Sequence, residues 1–97
     1  MSKKKSVMVL GWTRTGISVF LPTRGAPDLE MCVGWTRGDH VDAARILAEH
    51  GERDSDPTIG SWCKRWAKIH RAISKSGSAA NVRAAAETAI LSRRRNR

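Results

Sequence analysis

Ninety-seven residues, 40% of them hydrophobic, make one domain with a small core, and the net charge of +9 is large for this mass and points toward an anionic partner. Two cysteines, Cys32 and Cys63, are too few for a disulfide framework, and each sits in an apolar pattern that predicts a buried thiol in a reducing cytoplasm. No apolar stretch approaches membrane-spanning length, and the run after the basic start is broken by Gly11, Trp12 and Arg14 too soon for a secretory segment.

The charge is unevenly spread. Residues 1–38 carry six basic and two acidic side chains, residues 39–56 two and six, and residues 57–97 ten and one, giving balances of +4, −4 and +9. Such a gradient favours a polyanionic partner met by the C-terminal half, with nucleic acid first and DNA ahead of RNA. A membrane surface is disfavoured, because the aromatic side of the most amphipathic stretch belongs to a core.

In chain order, residues 1–5 form a flexible basic arm. Residues 7–13 and 16–21, rich in β-branched and aromatic side chains, read as a hairpin turning through Thr13, Arg14, Thr15 and Gly16. Residues 22–28, with PTRGAP, cannot continue a ladder and make a loop. Residues 29–35 read as a third strand. An internal echo links it to the first: Val9-Leu10-Gly11-Trp12-Thr13-Arg14 and Cys32-Val33-Gly34-Trp35-Thr36-Arg37. If both copies lie at one sheet edge, Trp12 and Trp35 offer rings for base stacking while Arg14 and Arg37 take phosphates, and both tryptophans should be more exposed than Trp62 and Trp66. The competing reading has both tryptophans capping the core and the arginines in solvent.

Asp39 reads as the cap of a helix over residues 40–50, closed by Gly51, with Ala43, Ala44, Ile46 and Leu47 inward. Residues 52–56, ERDSD, form an acidic connector. The chain is organised around the next stretch, residues 56–76. Asp56 can accept the orphan amide protons of a first turn, and Pro57 has none to lose. At 100° per residue Ile59, Trp62, Cys63, Trp66, Ile69 and Ile73 share one side, with His70 among them. Lys64, Lys68, Arg71 and Lys75 share the other, and no acid within the helix pairs with them. Gly77 ends the run, and Ser78 caps a third helix lined by Ala79, Val82, Ala85, Ala86, Ala89 and Ile90. That helix frays into a basic tail, residues 93–97, with Arg93, Arg94, Arg95 and Arg97. The expectation is an α+β domain, a small three-stranded antiparallel sheet followed by three helices, with flexible basic ends.

Catalytic and metal signals are absent at the level of spacing. His40, His50, His70, Cys32 and Cys63 show no ligand pattern, so the sequence predicts neither metal nor cofactor. Cys63 and His70, a conceivable nucleophile and base, fall two turns apart on a buried side, where a thiol is inert. No glycine-rich phosphate loop occurs, and no enzymatic activity is expected. A helix-turn-helix is suggested by residues 42–66, but the connector exceeds its 3 to 4 residue turn and brings Glu52, Asp54 and Asp56 to the end such motifs insert into the groove.

Gly34-Trp35-Thr36 followed by Asp42-Ala43-Ala44-Arg45 resembles the end of the arm-binding sheet and its helix in phage tyrosine recombinases. Thr58-Ile59-Gly60, Trp62, Trp66 and His70-Arg71 resemble the opening of their core-binding helix. The resemblance covers residues 6–92 and implies a DNA-binding module. The chain has no tyrosine and no catalytic domain, so recombinase activity is not implied. The expected function is thus non-enzymatic nucleic-acid binding, in a protein of phage or mobile-element type, through Lys64, Lys68, Arg71, Lys75 and the arginine tail, with Arg14, Arg37, Trp12 and Trp35 in support. The rival is a protein-binding inhibitor or adaptor, such as a phage anti-defence protein of anti-CRISPR type docking on a host complex through exposed tryptophans.

Overall fold

The computed structural model of the protein describes residues 8–75 and 82–95. They run in the order β1 (Val9–Trp12), β2 (Ser18–Phe20), a 3-10 turn (Glu30–Cys32), α1 (Arg37–Arg53), α2 (Pro57–Ser74) and α3 (Val82–Arg95). The first two strands pair antiparallel, Val9 opposite Phe20 and Trp12 opposite Ser18, with a register shift between Val9 and Gly11. Thr13 closes their turn: its amide donates to the Ile17 carbonyl at 2.9 Å and its hydroxyl accepts the Ile17 amide at 3.1 Å. Gly16, at φ +90°, supplies the left-handed residue the turn needs. Gly11 lets the hairpin lie close on α1, because a Cβ there would meet the Ile46 side chain at 3.1 Å.

The third strand is not formed. Leu29 has helical angles and opens the 3-10 turn, and Gly34 at φ +83° then swings the chain into α1. The echo of residues 9–14 in 32–37 is therefore one of sequence, with the first copy in a strand and the second in a turn and a helix start. Among the described residues the protein is an α+β fold with a two-stranded antiparallel sheet and three helices.

The second correction concerns the start of α1. Thr36, not Asp39, is the N-cap: its hydroxyl accepts the Asp39 amide at 3.2 Å while the Asp39 carboxylate accepts the Thr36 amide at 2.8 Å. Asp39 also accepts the Thr15 hydroxyl at 2.8 Å, which ties the β-turn to the helix end. The neighbouring Arg14 adds a fork onto Asp42, at 3.1 and 3.0 Å, and its own amide a third bond at 2.7 Å.

Between α1 and α2 stand only Asp54, Ser55 and Asp56, shorter than the sequence-predicted connector. The turn is thus as short as that of a helix-turn-helix, but the helices pack differently. His40 meets His70 at 2.8 Å at one end, and a Cβ on Gly60 would lie 3.1 Å from the Gly51 carbonyl at the other. Contact at both ends over about 16 Å makes an antiparallel helical hairpin instead of helices splayed at about 90–120°.

Two apolar layers hold these parts together. Val19, Trp35, Ala43, Leu47, Cys63, Trp66 and Ala67 join the β-hairpin to the helical one. Cys32, Ile69, Ile73, Val82, Ala86 and Ile90 seat α3, as its predicted alanine-lined side requires, and Met31 touches both layers. Gly77, Ser78, Ala79 and the N-terminal arm lie outside the described residues; α3 itself continues to Arg95, so three of the tail arginines belong to its last turns. No helix among the described residues is long and apolar enough to cross a membrane.

Candidate nucleic-acid interface

The predicted face of α2 forms because both of its ends are fixed locally and its apolar side is taken up by the core. Asp56 caps the helix, accepting the Thr58 amide at 2.9 Å, with Pro57 in the first turn. Cys63, Trp66, Ile69, His70 and Ile73 are buried, while Ile59 and Trp62 are half-buried. That rotation leaves Lys64, Lys68, Arg71 and Lys75 exposed in one row, with Arg65 beside it. Lys64 makes a loose, exposed pair with Glu52 at 3.6 Å, worth little in water. Lys68, Arg71 and Lys75 have no acidic partner among the described residues.

Two depressions flank the row. One, of about 700 Å³, is walled by Glu52 and Asp54 on one side and by Lys64, Arg65 and Lys68 on the other. A smaller one, of about 300 Å³, lies in the notch between the helices, where Arg45 and Arg71 converge over Ala44 and Ala48.

The Trp-Thr-Arg pair does not make one surface. Trp12 is 63% exposed, as expected, but Trp35 is 8% exposed and lies in the core, contrary to its predicted exposure. Its indole stacks on the His70 imidazole at 5.0 Å and 8° and leans on His40 at 4.9 Å, and burying that ring outweighs its position beside Gly34 and Arg37. Arg14 is committed to Asp42, whose carboxyl is held below its usual range by the hydrogen bonds from this guanidinium. Arg37 is half-buried at the start of α1. Trp12 is thus the exposed tryptophan of the pair, together with exposed Met8, Val9 and Phe20. Arg93, Arg94 and Arg95 lie on α3, their side chains outside the described set.

Sequence spacing missed a second constellation. Cys32, His40 and His70 converge, one ligand-type atom of each within 4.8 Å of the others, and all three side chains are buried. The imidazoles meet Nδ1 to Nδ1 at 2.8 Å. Burial holds both rings neutral by pushing their pKa values down, with the His40 charge adding to the fall at His70 and the Asp39 carboxylate opposing it at His40, and burial pushes the Cys32 thiol up to about 12. The one signal available beforehand was that Cys32 and His70 fall on inward-facing positions.

No family model, curated protein or solved structure matches the chain.

Proposed function

We propose that the protein is a non-enzymatic nucleic-acid-binding module that lays the outer face of α2 along a phosphate backbone. The observation that carries this reading is the exposed row Lys64, Lys68, Arg71 and Lys75 on a helix without an acid, with three of the four charges unanswered. From Lys64 to Lys75 the row rises about 16 Å, the reach of several phosphates at 3.4 Å per strand. Contacts of this kind fix position without reading bases, so binding is weakly specific. The arginines at the end of α3 add to the same field in this reading, and DNA is preferred to RNA. The reading also draws on the sequence resemblance to the arm-binding and core-binding region of phage recombinases, whose three-stranded sheet the described residues do not form.

Fluorescence anisotropy on a random-sequence duplex and on a single-stranded RNA tests it. The parent should bind at low salt with an affinity that falls steeply as salt rises, with a log-log slope near −0.9 per phosphate neutralised on duplex. Changing Lys68, Arg71 and Lys75 together to Ala should flatten that slope by about two to three units. The fold should be retained, because Ala is the best helix former and these side chains are exposed. Unchanged binding by the triple variant overturns the reading.

A second reading is favoured by one observation: Trp12, Met8, Val9 and Phe20 are exposed together on the hairpin. An inhibitor or adaptor would dock a protein partner there, with little salt dependence. Absence of nucleic-acid binding at low salt would favour it.

A further inference from the structure

We propose that Cys32, His40 and His70 form a buried site for a zinc-class divalent cation, clamping the 3-10 turn to the α1–α2 hairpin. Three independent features of the structure support it.

The first is the convergence itself. A thiol from the 3-10 turn and imidazoles from two helices bring ligand-type atoms within 4.8 Å of one another, though the residues are far apart in sequence. Tetrahedral zinc, with Zn–N near 2.0–2.1 Å, separates two ligating nitrogens by about 3.3 Å. The Nδ1 atoms stand 2.8 Å apart, so opening that contact by about half an ångström would admit an ion if both rings ligate through Nδ1.

The second is unsatisfied nitrogen. A neutral pair sharing one Nδ1 proton leaves one ring with a bare Nε2 lone pair and the other with an Nε2 proton. Both Nε2 atoms are buried without a hydrogen-bond partner, in side chains with 0% exposure. Each such atom is costly in an apolar setting. Native cores seldom keep two such atoms together; a cation held through Nε2 would take up the bare lone pair, whereas ligation through Nδ1 leaves each Nε2 as an N–H donor.

The third is room and charge. A cavity of about 20 Å³ opens beside Cys32, lined by Leu29, Val33, Ala86 and Glu87. It reaches the Cys32 side of the site, not the histidines, and is bordered by the exposed Glu87. Binding releases the Cys32 S–H proton to solvent, so the cation with one thiolate and two neutral imidazoles carries a single positive charge. Asp28 and Asp39, whose charges already act on Cys32 and His40, offset it. One sulfur and two nitrogens suit zinc and its neighbours, not magnesium or calcium, which require oxygen. The role is structural: Trp35, stacked on His70, closes one side of the site.

Metal analysis of the purified full chain should find one zinc per molecule, and a chelator should lower the melting temperature. Re-adding zinc at about 100 times its dissociation constant should raise it by about 10–20 °C. Cobalt(II) loaded in its place should give a thiolate-to-metal charge-transfer band and the visible absorption of a tetrahedral ion. Both should vanish in Cys32→Ser and persist in Cys63→Ser, whose thiol is buried elsewhere. If Cys32→Ser fails to fold, the parent titration still decides. A chain that melts at the same temperature with zinc and with chelator, and gives no thiolate band with cobalt, overturns the site.

Discussion

Truncating Trp66 to Ala removes the side chain on which the two hairpins and the loop after β2 converge. The indole is 5% exposed and packs among Trp35, Leu47 and Cys63; its ring edge faces His70 at 6.2 Å, and its Nε1 donates to the Arg24 carbonyl at 2.8 Å. Loss of a buried aromatic of this size costs about 3–5 kcal/mol, a large part of what a domain this small possesses. Trp66→Phe keeps most of the apolar volume but forfeits the bond to Arg24, which separates packing from the hydrogen bond. About 1 kcal/mol is expected for that bond, since the loop near Arg24 is partly solvated. Urea unfolding followed by far-ultraviolet circular dichroism measures both, with a midpoint about 1–3 M lower for the Ala variant. A Trp66→Ala protein within about 0.5 kcal/mol of the parent would refute the assignment of this ring to the core.

Trp12, by contrast, should be the indole most readily quenched by acrylamide, and Trp12→Phe should remove that component while changing stability by under about 0.5 kcal/mol. Quenching that survives the substitution unchanged would place the exposed ring elsewhere. Asp39→Ala should cost about 2 kcal/mol at neutral pH, because it breaks the capping box and the tie to Thr15 together. Burial pushes the Asp39 carboxyl up, but the Thr36 amide and the Thr13, Thr15 and Thr36 hydroxyls outweigh it, so its pKa lies below the ordinary 3.8. The stabilisation is therefore present above about pH 4 and lost as pH falls below it, and the gap between parent and variant should close in that range. A gap that stays constant down to pH 2 would contradict this.

The parts of the fold legible in the sequence are those fixed by neighbours along the chain. Asp56-Pro57, the 100° stripe and the basic row specify α2 within eighteen residues, and the structure reproduces each. Thr36 and Asp39 are both cap-type residues, and choosing the second shortened α1, since only the structure shows that the pair acts together. The third strand failed because the apolar pattern of residues 29–35 serves a turn as well as a strand, and Gly34 permits the bend. Trp35 and the Cys32, His40 and His70 cluster were illegible for a different reason. Their neighbours come from elements 5 to 38 residues away in sequence, with no local period to mark them.

The acidic segment sharpens the case for the α2 face. Its six carboxylates, residues 39–56, face the basic row only across the hairpin, and nearly all are engaged elsewhere. Asp39 and Asp56 cap helices, Asp42 holds Arg14, and Glu49 stands against Arg45 at 3.9 Å. Asp54 accepts the Asp56 amide and bonds His50, interactions that keep its pKa low and its charge at the turn. Glu52 alone reaches the row, at Lys64. The acids therefore build the turn and the helix starts, while the positive potential rises along α2 from Lys64 to Lys75, away from them. A polyanion approaching this face meets repulsion at the α1–α2 turn and attraction toward the other end. That gradient sets the direction in which a backbone would lie, with its most favourable contacts at Lys68, Arg71 and Lys75.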